Sequence, residues 1–280
     1  MLALVFGLSC TVMLAAGGIA TAKAYASEDQ PLFKMNARGG MEIETISERI
    51  HFARRESVRH VLTPALPPYT SDYSCGPTGG ANIVAYFNRI HPNLIPGHRA
   101  GMQIGNTFIW ASGDSPGIHN MQTELFHLMG GNRDGVTENQ YMWGLERFAR
   151  DRRFFKTLID YFHGMNQMQS IRYAFHNNML VSLFMKDFNI FFNHGLTSFP
   201  ERGYDSASFS LYAGNHIMIA YGYEIVSYFN ANNVMFRQDT YLYVNTGLDH
   251  PLQRTRINTH GTLHRSVVSN FIPMVIPTVI

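Results

Sequence analysis

The chain has 280 residues, 45% of them hydrophobic and 15% charged, with a formal net charge of +2. This apolar fraction suffices for a sizeable core and excludes a wholly disordered chain. The small, scattered charge excludes a strongly cationic nucleic-acid-binding protein, and the sequence has no zinc-type Cys/His spacing, GxxxxGK[ST] loop or HExxH motif. We therefore expect a globular protein that uses no metal or cofactor and binds no nucleic acid.

The first residues predict export. Residues 2–20 carry no charge, and small residues ending at Ala24 and Ala26 follow them. This pattern is typical of a secretory signal peptide, here residues 1–26, and predicts a secreted, periplasmic or cell-envelope protein. The alternative is an uncleaved anchor, since such a stretch can just span a bilayer. No later stretch is long and apolar enough to predict an integral membrane domain.

Residues 27–60 are polar and rich in arginine and glutamate. We interpret them as a solvated helix or an N-terminal extension that packs on the domain, because charge runs are usually solvated faces. The alternative is a propeptide removed on activation. Pro64, Pro67 and Pro68 then mark an extended segment. We place the main domain at residues 61–280.

Within this domain, helical patterns come first and strand patterns follow. Apolar spacing predicts a helix over 76–90, and a Gly-, Pro-, Asn- and Ser-rich stretch predicts a long loop over 91–118. Further helices are predicted over 119–130, 137–150 and 164–177, and strands over 178–186, 216–224, 240–246 and the apolar tail. This order indicates an α+β fold rather than alternating βαβ units.

Cys75 is the first candidate for chemistry. It lies in SDYSCGPTGGANIVAYF, between a turn and a predicted helix. A thiol at a helix N-terminus is close to unpaired N–H groups and the positive end of the helix dipole, which favour the nucleophilic thiolate. Cys10 lies in the predicted signal peptide, so the exported chain would keep one cysteine and no intramolecular disulfide. A small buried residue at a helix start is the alternative interpretation.

A cysteine nucleophile needs a general base, and His216 is our candidate among 13 histidines. It stands in AGNHIMIAYGYE at the start of a strongly apolar strand, which is a rigid mount for an imidazole. Asn245, at the end of YLYVNTGLD, is the candidate for orienting the imidazole, and Asp249 is the runner-up. A buried structural histidine and a turn asparagine are the alternatives.

These segments resemble a family. SCGPTGGANIVAYF is similar to the nucleophile segment of bacterial papain-fold cysteine peptidases of the bacteriocin-leader-peptidase-like group, and GNHIMIAYGYE and YLYVNTG resemble its histidine and third-residue strands. The resemblance covers roughly residues 61–270. It implies a papain-like fold, with the nucleophile helix packed on an antiparallel sheet, and hydrolysis of a peptide or protein substrate. By position it implies Cys75 as nucleophile, His216 as general base and Asn245 as orienting residue.

One position departs from the family pattern. Relatives commonly carry a Gln six residues before the nucleophile as an oxyanion donor, and this chain has Tyr69 there. We assign the candidate oxyanion hole to Tyr69 and Cys75. Two other classes stay open besides the peptidase. One is a transglutaminase-like acyltransferase, which has the same order of site residues. The other is a non-catalytic protein, either a papain-fold binding protein, which the departure at Tyr69 favours, or a structural domain.

Overall fold

The computed structural model describes residues 41–70, 73–132, 135–162, 167–191, 195–248, 252–257 and 262–274. The predicted signal peptide and Asp249 lie outside these ranges. The helices are α1 (Cys75–Asn88), α2 (Pro116–Leu128), α3 (Glu138–Asp151) and α4 (Gln167–His176). The strands are β1 (Met41–His51), β2 (Arg54–Val61), β3 (Gly101–Ile104), β4 (Thr107–Trp110), β5 (Phe154–Phe162), β6 (Leu180–Ile190), β7 (Leu196–Phe199), β8 (Tyr204–Phe229), β9 (Met235–Asn245), β10 (Leu252–Arg256) and β11 (Thr262–Pro273).

Nine strands form one antiparallel sheet in the order β10-β9-β8-β6-β11-β5, with β1, β2 and β7 also paired to β8. Strand β8 is 26 residues long and organises the sheet. Along one edge it pairs first with β1 and then with β9, and along the other with β7, β6 and β2 in turn. The α+β class predicted from the sequence is confirmed.

Most predicted elements are present. The four predicted helices correspond to α1–α4, and the predicted strands overlap β6, β8, β9 and the end of β11. Residues 275–280 of the predicted tail strand lie outside the described residues. The predicted loop over 91–118 is wrong in its middle, because Gly105 adopts a positive φ of 57° and turns β3 back on β4. A Gly-Asn pair is a strong signal for such a two-residue hairpin turn.

The predicted solvated helix in residues 27–60 is also wrong for its described part, which forms β1 and β2. In β1, Ile46, Glu48 and Ile50 are at least partly buried while the residues between them are exposed. This alternation has the period of a strand, and the backbone of β8 supplies the hydrogen bonds that make it one.

The core lies between the helices and the sheet. All residues of α1 are buried, and the main apolar cluster joins α1, α2 and α3 to β6, β8 and β11. In α3, Thr137 and Gln140 form a reciprocal capping box that fixes where the helix begins. Among the described helices, none is both long and apolar enough to cross a bilayer.

Candidate active site

Cys75 is the first residue of α1 and is 7% exposed. The backbone N–H groups of Ile217, Cys75 and Gly76 donate to its sulfur, which favours the thiolate. Burial outweighs these donors and raises the pKa of the Cys75 thiol to about 12. The thiol is therefore uncharged at neutral pH, contrary to what its place at a helix N-terminus alone would favour.

Cys75 of α1 contacts β8 at one edge of that strand. On one edge of β8, the pairing with β1 reaches Ala213, which lies opposite Met41, the first residue of β1, and the pairing with β9 reaches Ile219, which lies opposite Asn245, the last residue of β9. No described strand pairs with the stretch of this edge between those two points. The N–H of Ile217 lies in that stretch and donates to the Cys75 sulfur instead.

Close packing between α1 and β8 depends on Gly79. A methyl group on Gly79 would lie 3.1 Å from Ile219 Cδ1 and 3.7 Å from Ile217 Cγ2. The side chains of Ile217 and Ile219 therefore face α1. Neighbouring side chains of a strand point to opposite faces, so the imidazole of His216 is directed to the other face.

His216 is 1% exposed, and its Nε2 lies 2.8 Å from the backbone carbonyl oxygen of Thr246. A carbonyl oxygen only accepts, so we assign the ring proton to Nε2, which leaves the lone pair on Nδ1. Nδ1 is buried and has no hydrogen-bond partner among the described residues. Burial lowers the pKa of His216 to about 4, although the Thr246 carbonyl partly offsets this effect. The imidazole is therefore neutral.

An irregularity in β6 places an aromatic ring against this imidazole. The register with β8 shifts between Lys186 and Phe188, and the intervening Asp187 has a φ of 53°. The Asp187 carboxylate accepts from the Gly214 N–H at 2.8 Å, which ties the bulge to β8. Phe188 then stacks on His216 with 5.0 Å between ring centroids and 23° between ring planes. This contact limits the freedom of the ring.

Asn245 ends β9 and is buried, but its side chain does not bond to His216. Its Nδ2 donates to the Pro67 carbonyl at 2.6 Å, and its Oδ1 accepts from the Gly247 N–H at 2.7 Å. Gly247 has a φ of 68°, and a methyl group there would lie 3.2 Å from Thr78 Cγ2 of α1. The end of β9 thus packs against α1.

Tyr69 lies in the extended segment of residues 65–70, here called the lead-in segment. Its backbone N–H and carbonyl both bond to the carboxamide of Asn82 at 3.2 Å. Its ring lies beside Gly113, where a methyl group would be 3.5 Å away. The hydroxyl is buried and has no hydrogen-bond partner among the described residues. Burial also raises the pKa of Tyr69 and keeps it protonated.

The structure brings Cys75 to the residue after His216, and it brings Asn245 to the same end of the sheet. The Asn245 side chain does not hydrogen-bond to the imidazole. The catalytic roles of the three residues stay predictions. Sequence reasoning missed Thr246 and Ile217. Both act through backbone groups, which every non-proline residue carries, so side-chain patterns gave no sign of them.

Comparisons of the chain with family models, with curated proteins and with solved structures find no match.

Proposed function

We propose that this protein is an exported cysteine peptidase of papain-like fold that cleaves a peptide or amide bond, with Cys75 as nucleophile and His216 as general base. The observation that carries the proposal is the hydrogen bond from the Ile217 N–H to the Cys75 sulfur, because it fixes the thiol beside the strand residue that follows His216. The helix-borne cysteine and the strand-borne histidine also fit the order that the sequence resemblance implies.

The protonation states define the mechanism. The thiol and the imidazole are both neutral at pH 7, with pKa values of about 12 and about 4. The thiol proton would pass to His216 Nδ1 as the sulfur attacks the carbonyl carbon, which is general-base catalysis rather than attack by a standing thiolate. The imidazolium would then protonate the leaving amine, and water would hydrolyse the thioester, releasing the acid and the thiol.

The same geometry sets two requirements. The sulfur and His216 Nδ1 have to meet around the unpaired edge of β8 when substrate binds, because α1 packs on the Ile217 and Ile219 face of the strand and the imidazole is directed to the other face. The oxyanion then needs donors, for which the Cys75 N–H and the buried Tyr69 hydroxyl are the candidates.

The test is hydrolysis of a panel of quenched fluorescent peptides by the purified protein, with Cys75→Ala and His216→Ala. We expect either substitution to lower turnover by about a hundredfold or more. The control is His176→Ala, since this exposed histidine ends α4, whose main contacts are with β2, β5, β6, β8 and β11, and it should keep full activity. Hydrolysis that survives in Cys75→Ala would overturn the proposal. Transfer of the acyl group to an added amine would instead indicate an acyltransferase.

A second candidate is a non-catalytic peptide-binding protein. The burial of Cys75 and the raised pKa of its thiol favour it, because a buried protonated thiol is inert. For this function we expect the wild-type protein to hydrolyse none of the panel and to bind a labelled peptide with an affinity that Cys75→Ala leaves unchanged. Fluorescence anisotropy measures that affinity, and loss of binding in Cys75→Ala would contradict this second candidate.

A further inference from the structure

The hydrogen bonds around Asn245 assign it a different role from the one its position in the sequence implies. We propose that Asn245 is a positioning residue that ties the lead-in segment to the end of β9, and that the Thr246 backbone carbonyl orients His216. Any catalytic consequence rests on the proposed thiol chemistry, whereas the clamp itself does not.

The first step is to identify which group accepts the Nε2 proton of His216. An orienting Asn245 would have to accept the Nε2 proton of His216 with its Oδ1. That proton is directed to the Thr246 carbonyl at 2.8 Å, and Oδ1 accepts from the Gly247 N–H instead. The carboxamide is therefore engaged within its own turn rather than with the imidazole.

The second step is the contact that Asn245 does make across the chain. Its Nδ2 donates to the carbonyl of Pro67, which lies 178 positions away in the sequence, at 2.6 Å. Proline has no N–H, so the carbonyl is the only polar backbone group by which Pro67 can be held. Asn245 is 2% exposed, and a buried carbonyl left without a donor is costly.

The third step is a matching contact on α1. The Asn82 carboxamide binds both backbone polar groups of Tyr69, two residues after Pro67. One asparagine from the sheet and one from the helix thus hold the lead-in segment on either side of Pro68. The segment carries the Tyr69 hydroxyl, so the clamp sets where that donor lies relative to α1.

Replacement of Asn245 by aspartate separates the two roles. If the residue orients the imidazole, the new carboxylate would keep an acceptor for the ring and would raise the pKa of His216, because a carboxylate favours imidazolium. If the residue is a clamp, the change breaks it, because a carboxylate has no proton to donate to the Pro67 carbonyl and faces it with like partial charge. The matched control is Asn82→Asp, which removes the donor to the Tyr69 carbonyl on the other side.

We would measure amide hydrogen exchange in the lead-in segment and the imidazole ¹⁵N shifts of His216 in Asn245→Asp, without substrate. We expect the amides of Tyr69 and Thr70 to exchange about tenfold faster, which corresponds to the loss of one hydrogen bond. His216 should keep its proton on Nε2 and its low pKa. Unchanged exchange, together with a raised imidazole pKa, would overturn the clamp.

A measurement on the wild-type protein covers the case in which Asn245→Asp does not fold. Scalar coupling across the hydrogen bond between His216 Nε2 and the Thr246 carbonyl carbon should be detectable, and coupling to the Asn245 carboxamide carbon instead would contradict the proposal. If wild type hydrolyses peptides, Asn245→Asp should lower kcat without moving the pH at which His216 titrates in the rate profile. If wild type hydrolyses none, the proposed peptidase fails, and the exchange and coupling data still decide the clamp.

Discussion

His216 Nε2 lies 2.8 Å from the carbonyl oxygen of Thr246, the residue that follows the end of β9. This contact fixes the tautomer of a buried imidazole and leaves Nδ1, the nitrogen with the lone pair, without a partner among the described residues. A buried polar atom with no partner requires an explanation, and the ability to accept a proton from a bound ligand is one.

The first prediction concerns the pH dependence of stability. Burial lowers the pKa of His216 from 6.5 to about 4 in the folded protein, so between these values the unfolded chain binds more protons. The stability that the neutral His216 contributes is fully present above pH 6.5 and is lost as the pH falls toward 4. Over this range the free energy of unfolding should fall by about 3 kcal/mol. Denaturant unfolding from pH 7.5 to 4 measures this loss. In His216→Gln the slope should be smaller, and parallel slopes would contradict the prediction.

The second prediction concerns the reactivity of Cys75. Burial raises the pKa of the thiol from 9.0 to about 12, so the thiolate fraction at pH 8 is about a thousandfold lower than in an ordinary cysteine. Iodoacetamide should label the native protein more slowly than the unfolded protein by a similar factor. Cys75→Ala is the control, because it reports any labelling of Cys10. Rapid labelling of native Cys75 below pH 8 would show an activated thiolate and contradict the neutral pair.

The third prediction tests a buried ion pair between β1 and β10. The Arg256 guanidinium is fully buried and is bound by Glu48 and, at 3.3 Å, by Asp239. Glu48→Gln should lower the free energy of unfolding by about 1–3 kcal/mol, since a buried charge then loses a partner whose own side chain is partly exposed. Glu44→Gln, at an exposed position of the same strand, should change it by less than about 0.5 kcal/mol. If Glu48→Gln and Glu44→Gln lower the free energy of unfolding in urea by the same amount, the ion pair with Glu48 does not stabilise the buried Arg256.

The fourth prediction addresses the propeptide hypothesis. Strands β1 and β2 occupy opposite edges of β8, and they also supply Glu48 and Arg55, which pair with the buried Arg256 and Asp205. A chain that starts at residue 61 should therefore lose cooperative thermal unfolding, whereas a chain that starts at residue 27 should keep it. Circular dichroism melting curves compare the two. A stable and more active shorter chain would support a propeptide.

The fifth prediction tests the contact between the end of β9 and α1. Gly247 and Gly105 both have positive φ, but a methyl group on Gly247 would lie 3.2 Å from Thr78, whereas Gly105 has open space. Both alanine substitutions should cost about 1–2 kcal/mol from backbone strain. Gly247→Ala should cost about 1–2 kcal/mol more, because Thr78 has to move. If Gly247→Ala and Gly105→Ala lose the same free energy of unfolding, Thr78 of α1 moves aside without a measurable cost.

Local signals in the sequence determined the helices and the place of Cys75. Gly76 to Asn88 carries helical apolar spacing, and the thiol at its start is where the structure puts it, on the first residue of α1. Apolar runs and alternation likewise placed His216 and Asn245 on strands, although His216 lies in the middle of β8 and not at the predicted strand start. These features depend on residues close to one another in the chain.

Only the tertiary structure decided how these elements meet. Residues 41–61 are strands because β8, which lies far later in the sequence, offers them a partner, and their charged composition concealed that pairing. The imidazole is oriented by the Thr246 carbonyl, the thiol is held by the Ile217 N–H, and burial makes both groups neutral. Backbone groups are the same at nearly every residue, and burial is a property of the packed chain, so neither could be predicted from the sequence.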